Sequence, residues 1–205
     1  MPGRAEPQPM RILVTGFEPF GTDTHNASAE IVRRLPATAG EHQIVTGLLP
    51  VSFSRAFPTL GELLRTHQPD ALVLLGEAGG RTEINLERWA VNENNARIAD
   101  NDGHQPAGER IAPNGAHRRE ATLETPSQLR VSEDAGRFLC NHIAYHAYGL
   151  GIPAQFIHVP AWRPGNARAL VGAETDDAAG QRSALGLAEL VESLTEYLLG
   201  LRFRG

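Results

Sequence analysis

From Arg11 to Gly16 the chain reads Arg-Ile-Leu-Val-Thr-Gly, apolar and β-rich with no polar alternation. Such a run predicts a strand covered on both faces, as in a parallel sheet, rather than one with a wet side. Residues 71 to 76 (Ala-Leu-Val-Leu-Leu-Gly) repeat the pattern most cleanly, and residues 43 to 49 and 155 to 159 read the same way. Between these runs the pattern turns helical, over residues 27 to 35, 53 to 67, through Cys140 to about 148, and 178 to 199. In the last of these Leu185, Leu187, Leu190, Leu194 and Leu198 recur near helical spacing, so one face belongs to a core. Ser52 or Ser54 is the candidate cap of the second helix, and Pro58 is compatible with it only if the helix starts close by. Residues 84 to 92 alternate as a single strand. Residues 99 to 129 form a polar excursion with one hairpin, and loops of that length are usually functional or disordered. This βαβαβ rhythm predicts an α/β fold with a largely parallel sheet covered by helices.

Composition narrows the picture. A chain of 205 residues is expected to close one core, with residues 1 to 10 as a flexible leader and 11 to 205 as a single α/β domain. The leader holds three prolines and no apolar stretch, so it does not read as a signal peptide. A net charge of −5 argues against nucleic acid or an anionic membrane as the partner, and no apolar run approaches the roughly 20 residues that span a bilayer. One cysteine excludes a disulfide framework and a Cys-based zinc site, and a lone reduced thiol fits the cytoplasm.

That cysteine, Cys140, is followed eighteen positions later by His158, inside the strand-like run Phe156-Ile157-His158-Val159-Pro160. A thiol becomes a good nucleophile when a base takes its proton, and a histidine on rigid structure is the usual supplier. The plainer readings are a small core cysteine and a satisfied core histidine. His142 and His146, one helical turn apart, invite a zinc reading, but no His-Glu-x-x-His pattern completes it. Gly76 to Arg81 is glycine-rich after a strand, yet lacks the spacing of a phosphate-binding loop. In open α/β sheets ligands bind beyond the carboxyl ends of the strands. The loops after Thr15, Leu75 and Val159 are therefore expected to meet at one rim.

Several of these segments resemble the pyroglutamyl peptidase I (pyrrolidone-carboxylate peptidase) family of cysteine peptidases. Gly16-Phe17-Glu18-Pro19-Phe20-Gly21 with Asn26-Ala27-Ser28 resembles its opening signature. Gly76-Glu77-Ala78-Gly79-Gly80-Arg81, Glu87-Arg88-Trp89-Ala90-Val91-Asn92 and Ala96 to Asn101 look like its central block, Ser132 to Asn141 its cysteine block, and Phe156 to Pro160 its histidine block. The fragments fall in the family's order and span about residues 11 to 160. The resemblance implies a three-layer α/β/α sandwich and removal of N-terminal pyroglutamate from small peptides, without metal or cofactor. It implies Cys140 as nucleophile, His158 as base and Glu87 as the acid that orients the imidazole. It also implies Phe17 and Phe20 against the flat lactam ring, Arg97 near the oxyanion, and a homo-oligomer, with a tetramer favoured. A helix beginning near residues 136 to 138 would put Cys140 in its first turn, where unsatisfied amides favour a thiolate and an oxyanion. Ser132 as cap would instead place Cys140 in the third turn.

Two departures from the family bear on substrate binding. Glutamine is common there where this chain has Glu77, and a carboxylate can only accept hydrogen bonds. Ionised Glu77 facing a lactam oxygen would cost roughly 1–3 kcal/mol; it could instead accept the lactam N–H, be protonated, or point away. The interval from Cys140 to His158 is also a turn or two shorter than the family's. Two other functions fit the sequence: a related amidase with shifted acyl specificity, and a non-catalytic binding protein that keeps the pocket.

Overall fold

The computed structural model describes residues 9–123, 128–167 and 185–202. A seven-stranded sheet runs through it. Strand β1 (Arg11–Phe17) lies between β3 (His42–Leu49) and β4 (Ala71–Ala78), parallel to both, and β11 (Ala154–Pro160) extends the parallel set beside β4. Beyond β11 come β5 (Asn85–Glu87) and then β10 (Arg130–Ser132), while the short β2 (Thr38–Ala39) closes the opposite edge. The β11/β5 and β3/β2 pairs are antiparallel. Residues 79–84, between β4 and β5, are too few for a crossover, which needs about a dozen, so the chain reverses there.

The unalternated apolar runs are explained by layers on both faces. Ile12, Val14, Val73, Leu75, Ile157 and Val159 join one core with helices α1 (Ala27–Val32) and α4 (Leu187–Gly200). Leu13, Leu72, Leu74 and Phe156 join the other with α2 (Ala56–His67) and α3 (Leu139–Ala147). The protein is thus a three-layer α/β/α sandwich with a mixed, mostly parallel sheet. In α4, Leu190, Leu194 and Leu198 are fully buried and Leu187 packs at the edge of the same core, as does Leu185 just before the helix. Residues 178–184 of the expected last helix lie outside the described residues, as do residues 1–8 of the expected leader. Met10 is not a leader residue: it is buried in the core and its N–H donates to His42 Nδ1 at 3.2 Å. No helix among the described residues is long and apolar enough to cross a membrane.

Local chemistry explains where elements begin and where the expectations fail. Asn26 caps α1, its side chain accepting from Ser28 N–H at 3.0 Å, and the helix ends at Val32 rather than at residue 35. Helix α2 starts at Ala56, not Phe53, which sets Pro58 in the first turn, where a missing N–H costs nothing. Arg55 is the cap residue, and Ser52 supports it from outside by accepting the Arg55 N–H at 3.2 Å. The expected strand over 84 to 92 is two strands in different sheets. β5 joins the main sheet, and β6 (Trp89–Val91) leaves it to pair with β9 (Arg118–Glu120). Likewise the 99 to 129 excursion does not fold on itself as one hairpin. It returns β8 (Ala107–Glu109) to β7 (Asn94–Asn95) and β9 to β6, in two small ribbons.

Helix α1 lies so close to β1 that a Cβ at Gly16 would stand 2.6 Å from the Ser28 carbonyl oxygen. Both sides of that contact are backbone, so neither yields by a rotamer change. Gly16→Ala is expected to destabilise the fold by about 1–3 kcal/mol, read as a lower urea midpoint at unchanged m-value.

Candidate active site

Helix α3 starts at Leu139, one residue past the expected window of residues 136 to 138, so Cys140 is its second residue and lies in the first turn. Phe138 is the extended cap residue, and the first i→i−4 bond runs from His142 N–H to the Phe138 carbonyl at 3.0 Å. The amides of Leu139, Cys140 and Asn141 precede that bond, so they have no partner along the helix and favour negative charge beside the sulfur. Asn141 fixes the helix start: its Oδ1 accepts from Val91 N–H at 2.7 Å, and its Nδ2 donates to the Val91 and Glu93 carbonyls, each at 2.9 Å.

His158 belongs to β11 and shares its α3-facing side with Phe156, whose ring centroid is 5.1 Å away. Its register partner on β4 is Gly76. A Cβ at Gly76 would stand 2.7 Å from Cys140 Sγ, so the sulfur fills the space a side chain would take. The thiol therefore sits over the residue paired with His158, one strand spacing (~4.8 Å) from the imidazole's strand. On the other side β5 runs antiparallel to β11, with Glu87 opposite Phe156 and Asn85 opposite His158. Glu87 Oε1 lies 2.7 Å from His158 Nδ1, and neither side chain has any exposed surface. The carboxylate accepts the Nδ1 proton, which selects the tautomer whose Nε2 is free of a proton. Tyr148 Oη and Gln155 Nε2 donate to the Glu87 carbonyl at 2.7 and 2.9 Å, and burial pushes the Tyr148 phenol up, keeping it a donor.

The aromatic loop lies beside this centre. Phe17 is buried in the α3-side core, and Phe20, half-buried, packs on Phe138 at 5.4 Å between centroids. Asn101 pins the loop, accepting from Gly21 N–H at 2.9 Å and donating to the Pro19 carbonyl at 3.0 Å. Arg97 is exposed and lines a cavity of about 360 Å³ that reaches Phe138, together with Glu93, Asn95, Asp134, Gly136 and Arg137.

Glu77 is turned the other way. Consecutive residues of a strand face opposite sides, and Gly76 takes the thiol side. The Glu77 carboxylate accepts from Ala27 N–H at 2.6 Å and from Arg163 Nη1 and Nη2 at 2.8 and 2.9 Å. Arg163 Nη2 also donates to Asp23 Oδ2 at 2.7 Å. All three side chains of this group are almost fully buried. Burial opposes the Arg163 charge, but the bonds to Glu77 and Asp23 outweigh it and hold the guanidinium above its ordinary value. Of the orientations the sequence leaves open, the structure has the one pointing away, with a buried arginine that sequence reasoning missed. Arg81 was missed too: its Nη2 lies 2.8 Å from Glu87 Oε1. The signal for both was an arginine ending a rim loop, at the close of the Gly76 to Arg81 block and just beyond the His158 strand.

A thiol at a helix start, beside an imidazole whose far nitrogen is held by a buried carboxylate, supplies the parts from which thiol hydrolases are built. A sequence model of the pyroglutamyl peptidase family matches residues 10–167. Pyrrolidone-carboxylate peptidases of Streptococcus suis (strain 05ZYH33) and Streptococcus pyogenes serotype M1 are each 36% identical over 167 residues, 74% of this chain and 78% of theirs. Among solved structures, pyroglutamyl peptidase I of Bacillus amyloliquefaciens superposes with a TM-score of 0.79 at 32% identity, covering 94% of this chain and 96% of that one. Pyrrolidone carboxyl peptidase of Thermus thermophilus gives 0.78 at 30% identity, covering 93% and 100%. The chain belongs to the pyroglutamyl peptidase family.

Two expected outcomes follow from the buried groups. Arg163→Met strands the carboxylates of Asp23 and Glu77 and should cost about 3–5 kcal/mol, more than Glu77→Gln, in which Arg163 keeps Asp23; paired thermal melts compare them. In α3, His142 is held at about 3 by burial and by His146, and His146 at about 4 by burial and by Arg119. The unfolded chain protonates both from about pH 6.5 downward while the native state does not. Stability should therefore be full above pH 7 and fall as the pH drops toward 4, with His142 alone contributing about 2 kcal/mol of loss at pH 5. Urea titrations at pH 7 and pH 5 on the native chain and His142→Phe measure the difference.

Proposed function

We propose that this chain removes an N-terminal pyroglutamyl residue from peptides by covalent catalysis, with Cys140 as nucleophile, His158 as general base and acid, and Glu87 as the group that orients the imidazole. The observation that carries this reading is the 2.7 Å bond from Glu87 to His158 Nδ1, in a strand whose register partner, Gly76, leaves room for the Cys140 sulfur. His158 Nε2 takes the thiol proton, and the thiolate attacks the carbonyl carbon of the pyroglutamyl amide, forming a C–S bond and a tetrahedral oxyanion. The amides at the start of α3 stabilise that oxyanion. Collapse breaks the C–N bond, the imidazolium protonates the departing amine, and a thioester remains. Water, deprotonated by His158, then attacks the thioester, and the released thiolate regains a proton. The products are free pyroglutamate and the shortened peptide.

Phe20 and Phe17 supply the apolar side for the flat lactam ring, and the cavity bordered by Arg97 receives the departing peptide side. In this reading Glu77 does not touch the lactam: its carboxylate is used by Arg163 and the start of α1. The replacement of glutamine at this position is then a feature of rim construction rather than of acyl specificity.

Release of a fluorogenic amine from a pyroglutamyl amide in reductant tests the reading directly. The native chain should turn over, Cys140→Ala should lose all activity above background, and Glu87→Gln should fall by roughly 10²–10⁴-fold in kcat. A native chain that is inert, with its thiol shown to be free, would overturn it. A panel of other acyl amides would then separate a substrate-shifted amidase from a binding protein.

A further inference from the structure

Glu87 has no exposed surface, and an anionic carboxylate so placed needs a positive partner, because an unpaired buried charge is strongly disfavoured. Among the described residues that partner is Arg81, with Nη2 2.8 Å from Glu87 Oε1. It is the same oxygen that holds His158 Nδ1, while Oε2 has no hydrogen-bond partner among the described residues. The guanidinium is itself held. A turn closed by Arg81 N–H on the Ala78 carbonyl at 3.0 Å sends the side chain back toward β5. Nη1 donates to Asn85 Oδ1 at 3.0 Å, and Nη2 donates to the Asp134 carbonyl at 2.9 Å. Asp134 belongs to the segment that leads into α3, so one side chain ties the turn after β4, the carboxylate of β5 and the approach to the cysteine helix.

We propose that Arg81 is a positioning residue of this active site, aiming the Glu87 carboxylate at His158 and balancing its charge, so that the site works as a line of four groups, Arg81–Glu87–His158–Cys140. The inference rests on the peptidase reading above. Before proton transfer the Arg81 and Glu87 charges cancel and the imidazole and thiol are neutral. After it the imidazolium and thiolate cancel as well, and the net charge of the site does not change. Without Arg81 the resting site would carry an uncompensated negative charge. That charge would bind the imidazolium proton too tightly and disfavour the thiolate. The other charged groups nearby are engaged among themselves: Arg137 pairs with Asp134 at 2.7 Å and with Glu93 at 3.4 Å.

The test compares the native chain with Arg81→Met and Arg81→Lys in two assays. One is hydrolysis of a pyroglutamyl fluorogenic amide across pH. The other is the rate of Cys140 alkylation by iodoacetamide across pH, which needs no substrate. In Arg81→Met, kcat should fall about 10–100-fold with KM nearly unchanged. Its alkylation profile and both limbs of its kcat/KM profile should move to higher pH by roughly 0.5–1 unit. Arg81→Lys keeps the charge but not the fork that spans Asn85, Glu87 and the Asp134 carbonyl. It should keep the native pH profile while losing kcat several-fold. Native kcat in Arg81→Lys, or an Arg81→Met variant that folds and keeps the native pH profile, would overturn the proposal. Should Arg81→Met not fold, Arg81→Lys decides alone. Should the native chain fail to hydrolyse pyroglutamyl amides, the alkylation profiles still decide the role of Arg81, which separates its failure from that of the peptidase reading.

Discussion

A carboxylate with no contact to water persists inside a protein only where donors and an opposite charge replace its hydration, and Glu87 is in that position. Meeting its needs dictates much of the surrounding geometry. β5 must run antiparallel to β11 so that Glu87 reaches His158 Nδ1, and the short connection from β4 enforces that reversal. Arg81 must return from the turn after β4 to meet the same oxygen, and Tyr148 and Gln155 must hold the backbone carbonyl behind it. The result is an imidazole with one tautomer and one orientation, on the face of the sheet that carries the cysteine helix.

The thiol's place depends on a second constraint, the absence of side chains. Gly76 leaves the volume that Cys140 Sγ occupies, and Gly16 allows α1 to lie against β1 at backbone contact. These two glycines end adjacent strands near the same rim, one opening the site and the other bringing in the helix whose cap anchors the aromatic loop. Asn26 serves both purposes: it caps α1 and its Nδ2 donates to the Glu18 carbonyl at 3.2 Å. Helix start, loop path and aromatic placement are therefore one mechanical unit. The Asp23–Arg163–Glu77 group clamps that unit to the loop after β11 from the opposite face of the sheet.

Much of this was legible in the sequence where the signal was local. The buried strands β1, β4 and β11 announce themselves because a parallel strand covered on both faces reads as a nearly continuous apolar run. The start of the cysteine helix was expected at residues 136 to 138 and falls just beyond that window, at Leu139, after Gly136 with its positive φ of 78°. Cys140, His158 and Glu87 stand out by their place in matched blocks; the fold bonds Glu87 to His158 and sets the Cys140 sulfur against Gly76, the register partner of His158. What was not legible was pairing. Residues 84 to 92 carry a single alternating pattern, yet half of it pairs with β10 and β11 and half with β9, a choice made by strands far away in sequence.

Neighbouring positions carry the class of fold, the order of the main parallel strands and their helices, and the chemical inventory of the rim, because periodicity, glycines and residue types are local properties. Which charges meet is fixed by the folded chain. That Glu77 turns from the thiol face toward Arg163, and that Arg81 turns back to Glu87, depends on partners 86 and 6 positions away brought to bonding distance by strand order and register. A charge in a sequence is free to pair with any opposite charge. Burial withdraws the water that makes those choices nearly equal, and favours the arrangement in which Glu77 and Glu87 each meet an arginine.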